Sequence, residues 1–351
     1  MKILYFGDYD PNYTRTRVLV KGLEENGTPV IHCNERQQGL LKYWKLWKKI
    51  NNLKGQYDYL FVGFGDSRFM PVFARIVSKK PIVWEALFSQ YDNWVFDRRL
   101  AKPHSLKAYL YWFTDWIGCF FSHLIILDTK LHTNYFSKTF GVPQKKLAHV
   151  YVGADTGIFF PKPRTKQSPY FEVEFHGKFF PMQGADVIVR TAKLLEKNGV
   201  HFTLIGSGQE AKKVRRLAEE LSVSNVTFHG YLPQEEIVEH IANADVCVGL
   251  IGNVPRVVRA IPTKLWEAAA MAKVSINASP GSLEEVFTPN VDAIGLTAGN
   301  HEELAKKILA LKESGRAEAM GQEAYKTFLK IGTPKQIGLS LIQTIKTRFS
   351  S

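Results

Sequence analysis

The sequence has little cysteine: three residues in 351, Cys33, Cys119 and Cys247. They lie far apart and have no His or Cys companion at metal-ligand spacing, which argues against a disulfide framework and a structural zinc site. The longest apolar stretch, residues 108–127, still contains an aspartate and a histidine, so we expect no transmembrane span. No secretory leader is predicted either, because Met1-Lys2 runs directly into the strand-like sequence ILYF, and we expect a cytoplasmic protein.

Positive charge is what the chain has in excess. It contains 46 Lys and Arg against 33 Asp and Glu, and residues 1–160 hold 22 of these bases but only 13 of the acids. Such an excess favours phosphate-bearing partners, either nucleic acid or a membrane surface. Because no recognised nucleic-acid-binding motif accompanies the charge, we expect no nucleic acid partner.

Short apolar runs of strand length alternate with helical stretches along the chain. Examples are KILYFG and SHLIILDT in the first half and FEVEFHG and HFTLIGSG in the second. This alternation is typical of parallel sheets with crossover helices. A polar segment with three prolines, residues 161–169, interrupts it and predicts a linker. We therefore predict two doubly wound α/β domains, 1–160 and 170–332, facing each other across a cleft. The sequence leaves open whether the helix in 333–351 returns to the first domain.

The segment IPTKLWE, residues 261–267, predicts the start of a helix that carries chemistry. Pro262 fits a first turn, and Lys264 and Glu267 are three residues apart, so both project from one face. A helix N-terminus with an ammonium and a carboxylate suits a sugar nucleotide, because the amide dipoles attract a diphosphate and the carboxylate accepts ribose hydroxyls. An exposed lysine and a capping glutamate on an ordinary helix explain the motif equally well.

Glycine-bearing loops follow the strands of the second half in a fixed order. They are Gly177-Lys178, Gln183-Gly184, Gly206-Ser207-Gly208 and Phe228–Leu232, followed by Pro262–Ala268 and Pro280-Gly281-Ser282. This order resembles the donor domain of the retaining GT-B glycosyltransferases of family 4, also called glycosyl transferases group 1. The resemblance covers about residues 171–310. In the first half of the chain the resemblance is looser. Arg15 stands where family members often have an arginine, and Val152–Asp155 resembles the segment that joins the two domains in the family.

The resemblance implies a role for each matching residue. Lys178 and Lys264 would bind the diphosphate of the donor and stabilise the leaving group, and Glu267 would hold the ribose. Tyr231 would frame the base. The remaining implied donor contacts are Gly177, Gln183, Gly206, Arg259, Pro262, Leu265 and Arg15. Because lysines would neutralise the diphosphate, we expect no metal and no cofactor besides the nucleoside-diphosphate sugar itself.

Three positions depart from the family pattern. Gln183 stands where a second phosphate-binding lysine is usual, and Arg259 stands where many members have a glutamate, which predicts a sugar with an acidic group. The histidine that many members carry on the acceptor side is missing. Glu85, or else Asp92, could orient the acceptor hydroxyl, or could simply cap a helix.

The segment Leu40–Leu53, LLKYWKLWKKINNL, predicts an amphipathic helix. Leu40, Tyr43, Trp44, Trp47 and Ile50 fall on one stripe, and lysines fall on another. A core-facing helix and a helix lying on an anionic membrane surface are equally compatible with this pattern. A second basic and aromatic stretch surrounds LKAYLYWF, which favours a lipid-linked acceptor and a peripheral position on the inner face of the cell membrane.

The sequence thus predicts a retaining glycosyltransferase that moves a sugar from a nucleoside diphosphate to a lipid-linked or glycan acceptor, in polysaccharide or glycolipid biosynthesis. An epimerase or a phosphorylase on the same fold is a second enzymatic interpretation. The alternative from another class is a non-catalytic GT-B subunit that binds a partner glycosyltransferase or the membrane. Gln183 and Arg259 keep this alternative open, because both alter donor-site positions.

Overall fold

The computed structural model describes residues 1–349 and divides the chain into two compact units. The N-terminal unit comprises residues 1–153 and the segment from Thr333 onward, and the C-terminal unit comprises residues 154–332. Residues 154–160, which the sequence placed in the first domain, thus belong to the second unit. The first of these residues, Ala154, is hydrogen-bonded to the last residue of the same unit: its N–H donates to the carbonyl of Gly332 at 3.2 Å.

The N-terminal unit contains a six-stranded, fully parallel sheet in the order β2-β1-β3-β4-β5-β6. A π-helix, Asp92–Asp97, lies between β4 and α4. The elements are β1 (Ile3–Gly7), α1 (Thr14–Glu25), β2 (Val30–Asn34), α2 (Leu41–Asn51), β3 (Tyr59–Val62), α3 (Met70–Val77), β4 (Ile82–Leu87), α4 (Leu106–Phe121), β5 (Leu124–Leu127), α5 (Lys130–Phe140) and β6 (Leu147–His149).

The C-terminal unit repeats this architecture with the order β12-β11-β10-β7-β8-β9, again parallel throughout. Short 3₁₀ helices at Pro181–Gln183 and Val257–Arg259 flank the loops at the strand ends. The elements are β7 (Phe171–His176), α6 (Ala185–Leu194), β8 (Val200–Ile205), α7 (Ala211–Glu220), β9 (Val226–His229), α8 (Gln234–Asn243), β10 (Val246–Val248), α9 (Thr263–Ala270), β11 (Val274–Ala278), β12 (Ile294–Leu296), α10 (His301–Ser314) and α11 (Ala317–Ile331). The prediction of doubly wound parallel sheets is confirmed.

The last helix, α12 (Pro334–Phe349), belongs to the N-terminal unit. It packs closely on α1, because a Cβ added at Gly22 would lie 2.0 Å from the carbonyl oxygen of Pro334. Ile337 and Leu341 are buried in the same apolar cluster as Leu19 of α1. The sequence left open where this helix lies, and in the structure it lies on the unit that also contains β1 and α1.

Strand β7 differs from an ordinary central strand of a parallel sheet, which is apolar on both faces. Its sequence FEVEFH alternates, so Val173 and Phe175 enter the apolar core, whereas Glu174 and His176 lie together on the opposite face. All four side chains are buried. The alternation therefore places two charged residues inside the protein, at the end of the strand that leads into the first glycine loop.

Helix α2 is amphipathic, as predicted, but the residues of the predicted apolar stripe do not all face the same environment. Leu46 and Ile50 are buried and form the core-facing side. Trp44 and Trp47 are half exposed, and Leu40, just before the helix, is 83% exposed. A core-facing helix and an exposed aromatic surface thus occur in the same element. No helix within residues 1–349 is long and apolar enough to span a membrane.

Candidate functional site

The glycine loops of the C-terminal unit meet at one edge of its sheet. The N–H of Gly177, after β7, donates to Ile205 at 2.9 Å, and the N–H of Gly206, after β8, donates to His229 at the end of β9 at 3.2 Å. Backbone groups of three successive strand ends are thereby joined. In doubly wound folds, ligands bind outside this carboxyl edge. The loops singled out in the sequence are therefore in a place where they can act together.

Gly206 is required by a close backbone approach. Its φ is +133°, and a Cβ at this position would lie 1.9 Å from the carbonyl oxygen of Gly177. Any larger residue would separate the loops after β7 and β8. Gly177 and Gly206 form a patch of backbone without side chains, here called the backbone floor. The lack of side chains allows a ligand to approach this backbone closely.

Lys264, in the first turn of α9, extends along this floor although it is only 7% exposed. Its Nζ donates to Oε1 of Gln183 at 2.5 Å and lies 3.7 Å from the ring centroid of Phe175. A Cβ at Gly177 would lie 3.1 Å from the same Nζ. The structure therefore brings together Gly177, Gln183 and Lys264, as the sequence predicted.

The ammonium of Lys264 is poorly solvated. Burial lowers its pKa to about 7, although Glu174 and Glu267 act in the opposite direction. A poorly solvated cation binds an anionic ligand favourably, because little water screens the attraction between the two charges. Its ammonium donates to the amide oxygen of Gln183 and lies over the face of the Phe175 ring.

Glu267, one turn after Lys264, is also nearly buried, with 6% exposure. Its Oε2 lies 2.9 Å from Nε2 of His176, and Nδ1 of the same ring lies 2.8 Å from Oε1 of Glu174. From the sequence alone, neither His176 nor Glu174 was predicted to take part in the site. The available signal was the alternation in FEVEFH, which puts charged side chains where a central parallel strand is normally apolar.

The other predicted donor residues surround this centre in different ways. Lys178 is exposed, Tyr231 is 87% exposed, and Arg259 is partly exposed at the end of a 3₁₀ helix. Pro262 is the N-cap of α9, just outside the first turn in which the sequence placed it. The side chain of Leu265 is buried, and its N–H is bonded to the carbonyl of Pro262. Ligand contacts of these residues stay predictions.

Arg15 and Glu85 lie in the N-terminal unit, where they bind each other. Nε of Arg15 is 2.6 Å from Oε1 of Glu85, and both side chains are at most 1% exposed. Glu85 Oε2 accepts from the hydroxyl of Tyr5 at 3.0 Å and from the N–H of Phe64 at 3.3 Å. Arg15 also donates to the carbonyl of Tyr151. The donor role of Arg15 and the catalytic role of Glu85 stay predictions. Both carboxylate oxygens of Glu85 have partners, whereas Nη2 of Arg15 has no hydrogen-bond partner among the described residues.

A second buried pair in this unit, His132 and Asp128, was also not predicted from the sequence. Nδ1 of His132, in the first turn of α5, is hydrogen-bonded to Asp128, just after β5. His132 is fully buried, and its Nε2 has no hydrogen-bond partner among the described residues. The signal was an Asp and a His four residues apart at a strand end. Across residues 1–349, no group of three or more His, Cys, Asp or Glu is arranged to hold a metal ion.

Residues 159–327 match the family model described as glycosyl transferases group 1. No curated protein sequence matches the chain significantly. Among solved structures, the fold is similar to that of Anabaena Alr3699/HepE in complex with UDP-glucose, with a TM-score of 0.75 and 17% identity over 99% of this chain and 100% of that chain. It is also similar to sucrose-phosphate synthase from Thermosynechococcus elongatus, with a TM-score of 0.78 and 14% identity over 100% and 99% of the two chains.

A third similar structure is the lipopolysaccharide outer core galactosyltransferase WaaB in its apo form, with a TM-score of 0.67 and 13% identity over 99% of this chain and 100% of that chain. At such low identities the similarity shows the fold, and the predicted GT-B architecture of two Rossmann-like domains is confirmed. The family match lies on the unit that contains Lys264, Glu267 and the glycine loops. Residues 159–327 thus match the glycosyl transferases group 1 family, within a chain that has the GT-B fold.

Proposed function

We propose that the chain is a retaining glycosyltransferase that moves a sugar from a nucleoside diphosphate to a lipid-linked or glycan acceptor. One observation carries this proposal: Lys264 and Glu267 lie one turn apart at the start of α9, beside the backbone floor of Gly177 and Gly206. The ammonium matches a diphosphate, and the carboxylate matches a pair of ribose hydroxyls. The UDP and UDP-glucose complexes of HepE support a nucleotide of this class as the ligand.

In the proposed reaction, the bond between the anomeric carbon and the β-phosphate oxygen breaks, and the acceptor oxygen bonds to the same face of that carbon. The acceptor proton passes to the departing diphosphate. Lys264 and Lys178 stabilise the charge that grows on this leaving group, which is the largest catalytic contribution expected from the protein. Because these lysines supply the positive charge, the proposed mechanism uses no metal ion.

A panel of nucleoside diphosphates tests the donor site. We expect one of UDP, GDP, ADP, CDP and TDP to raise the melting temperature of the wild type, because a ligand at 100 times its Kd adds about 2.7 kcal/mol to the free energy of unfolding. Glu267→Gln keeps the size of the side chain and should weaken binding of that nucleotide by about 10- to 100-fold, the equivalent of one charge-assisted hydrogen bond.

The matched control is Glu235→Gln, because Glu235 is an exposed residue of α8 in the same unit. Its affinity should equal that of the wild type. If the folded wild type responds to none of the five nucleotides, the proposed donor site is contradicted, and the non-catalytic subunit becomes the better interpretation.

We further propose that the acceptor is presented at an anionic membrane surface, which would place the protein on the inner face of the cell membrane. The supporting feature is a basic and aromatic surface formed by Leu40, Trp44, Trp47, Lys45 and Lys48. Nζ of Lys48 lies 3.6 Å from the ring centroid of Trp44, so charge and aromatic surface are adjacent. Rings of this kind settle at the headgroup level, and lysines add attraction to anionic lipids. On α4, further exposed apolar residues are Leu106, Tyr109, Leu110, Phe113 and Phe120.

Cosedimentation with vesicles tests this surface. With vesicles of phosphatidylcholine and phosphatidylglycerol at 7:3, Lys45→Glu/Lys48→Glu should lower the partition coefficient at least tenfold, since each lysine near the surface contributes about 1 kcal/mol. The control is Lys212→Glu/Lys213→Glu on α7, which makes the same change in net charge at exposed positions of the other unit. Equal losses in both variants would show an effect of net charge alone and would contradict a specific surface.

A further inference from the structure

Three buried ionisable side chains form a continuous chain below the candidate donor site. The ring of His176 lies between two carboxylates, with 2.8 Å from Nδ1 to Glu174 and 2.9 Å from Nε2 to Glu267. At most 7% of any of the three residues is exposed. Both ring nitrogens therefore face an acceptor, and a neutral imidazole can donate to only one of them. The geometry fits an imidazolium that donates to both.

The surroundings support the charged form. Burial alone would lower the pKa of His176, but the charges of Glu174 and Glu267 and the two hydrogen bonds raise it to about 9. The other titratable groups near this chain are Lys264 of α9, Cys247 of β10, which pairs with Glu174 across the sheet, and His240 of α8. Burial lowers the pKa of both Lys264 and His240, so the positive charge of these two groups is disfavoured. His176 is therefore the cation that pairs with the carboxylates of Glu174 and Glu267.

His176 also limits what Glu267 can do. The Nε2–H of His176 donates to Oε2 of Glu267, which fixes the plane of that carboxylate and leaves Oε1 of Glu267 to a ligand. Without this contact, the carboxylates of Glu174 and Glu267 would be buried in the same region without their shared partner. Buried carboxylates in that situation bind protons or change orientation.

We propose that His176 is a positioning residue for the ribose: held by Glu174, it keeps Glu267 ionised and aimed at the ribose hydroxyls. This inference rests on the proposed function, in which Glu267 binds the ribose. It predicts that His176 affects recognition of the hydroxyls and leaves recognition of the diphosphate unchanged, because Lys264 and the backbone floor contact the phosphates.

The test compares a ribonucleotide with its 2′-deoxy analogue, UDP with 2′-deoxy-UDP, or the equivalent pair for the base selected by the panel. Isothermal titration should show that the wild type prefers the ribonucleotide by about 10- to 100-fold. In His176→Gln the preference should fall to about threefold or less, while the affinity for the deoxynucleotide stays unchanged. A loss of fold stability alone would weaken both ligands equally.

The matched control is His201→Gln. His201, on the neighbouring strand β8, also bonds a carboxylate, with 2.9 Å from its Nδ1 to Glu172, but its other nitrogen binds Thr227 and not Glu267. Its ribose preference should equal that of the wild type. If His176→Gln keeps the wild-type preference, the inference is overturned and the proposed donor site stands. If the wild type binds no nucleoside diphosphate, both are overturned.

Glu174→Gln gives a second test that retains the histidine. Removing this charge lowers the pKa of His176, so the imidazolium is lost at a lower pH than in the wild type. The ribose preference should then fall as pH rises, with a midpoint that follows the Cε1 proton of His176 in NMR spectra of the same variant. Lys264 binds the diphosphate that both nucleotides share. Its titration therefore changes both affinities equally and cancels in the ratio of ribonucleotide to deoxynucleotide affinity. A ratio that does not follow the His176 titration contradicts the inference.

Discussion

Replacing Lys264 by methionine is expected to lower kcat/KM for sugar transfer by about 100- to 1,000-fold. The change removes a buried ammonium that donates a hydrogen bond to the amide oxygen of Gln183 and lies against the ring of Phe175. As the donor bond breaks, negative charge grows on the diphosphate, and an ammonium in a poorly solvated site stabilises it more than water would. The rate of nucleoside diphosphate release from the selected donor measures the effect.

The control for this prediction is Lys273→Met. Lys273 is a partly buried lysine of the same unit, but its Nζ donates to the carbonyl of Ala244 at 2.8 Å, away from the glycine loops. Its kcat/KM should stay within about threefold of the wild type. If Lys264→Met is equally active, the ammonium does not serve the leaving group.

The pH dependence of nucleotide binding provides a further check on Lys264. Its pKa of about 7 in the free protein means that the ammonium is present below this pH and is lost above it. A bound diphosphate favours the charged form, so binding near pH 8 should take up a proton, and affinity should fall as pH rises from about 7. In Lys264→Met, both effects should disappear. Calorimetry in buffers of different ionisation enthalpy measures the proton uptake.

The sequence was most informative where function depends on local spacing. Lys264 and Glu267 are three residues apart in one helix, and each glycine loop directly follows a strand, so these residues could be selected as a candidate site from the sequence, and the strand–helix alternation predicted the fold. Contacts across strands were not predictable in this way. His176 and Glu267 are separated by 91 positions, and nothing local indicates that a strand end will meet this particular helix turn.

Gln183 shows how the structure changes the interpretation of a departure from the family pattern. In the sequence, this neutral side chain stands where the family pattern usually has a second phosphate-binding lysine. In the structure, its Oε1 accepts a hydrogen bond from Lys264, and a lysine at this position would place a second cation beside the first. In a site where burial already lowers the pKa of Lys264, that repulsion would be costly. The glutamine thus stabilises the ammonium that remains.

Arg15→Met is expected to lower the free energy of unfolding by about 3–5 kcal/mol, because it leaves the carboxylate of Glu85 buried without its cation. Glu85 is completely buried, and the ion pair joins α1 to β4, 70 positions apart. From the sequence, Arg15 and Glu85 were assigned separate functional roles, since no local pattern shows that they form a pair. Urea unfolding of the wild type and the variant measures the loss.

The double variant Arg15→Met/Glu85→Gln separates a structural role from a catalytic one. The glutamine removes the unpaired charge and keeps an acceptor for the hydroxyl of Tyr5 and the N–H of Phe64. About half or more of the lost stability should therefore return, since an uncompensated buried charge costs more than a neutral pair. If the ion pair only holds the fold, the double variant should also keep the sugar-transfer rate within about tenfold of the wild type. If it folds stably but loses transfer by 100-fold or more, the pair acts in the reaction itself, through Glu85 at the acceptor or Arg15 at the donor, and does not only hold the fold.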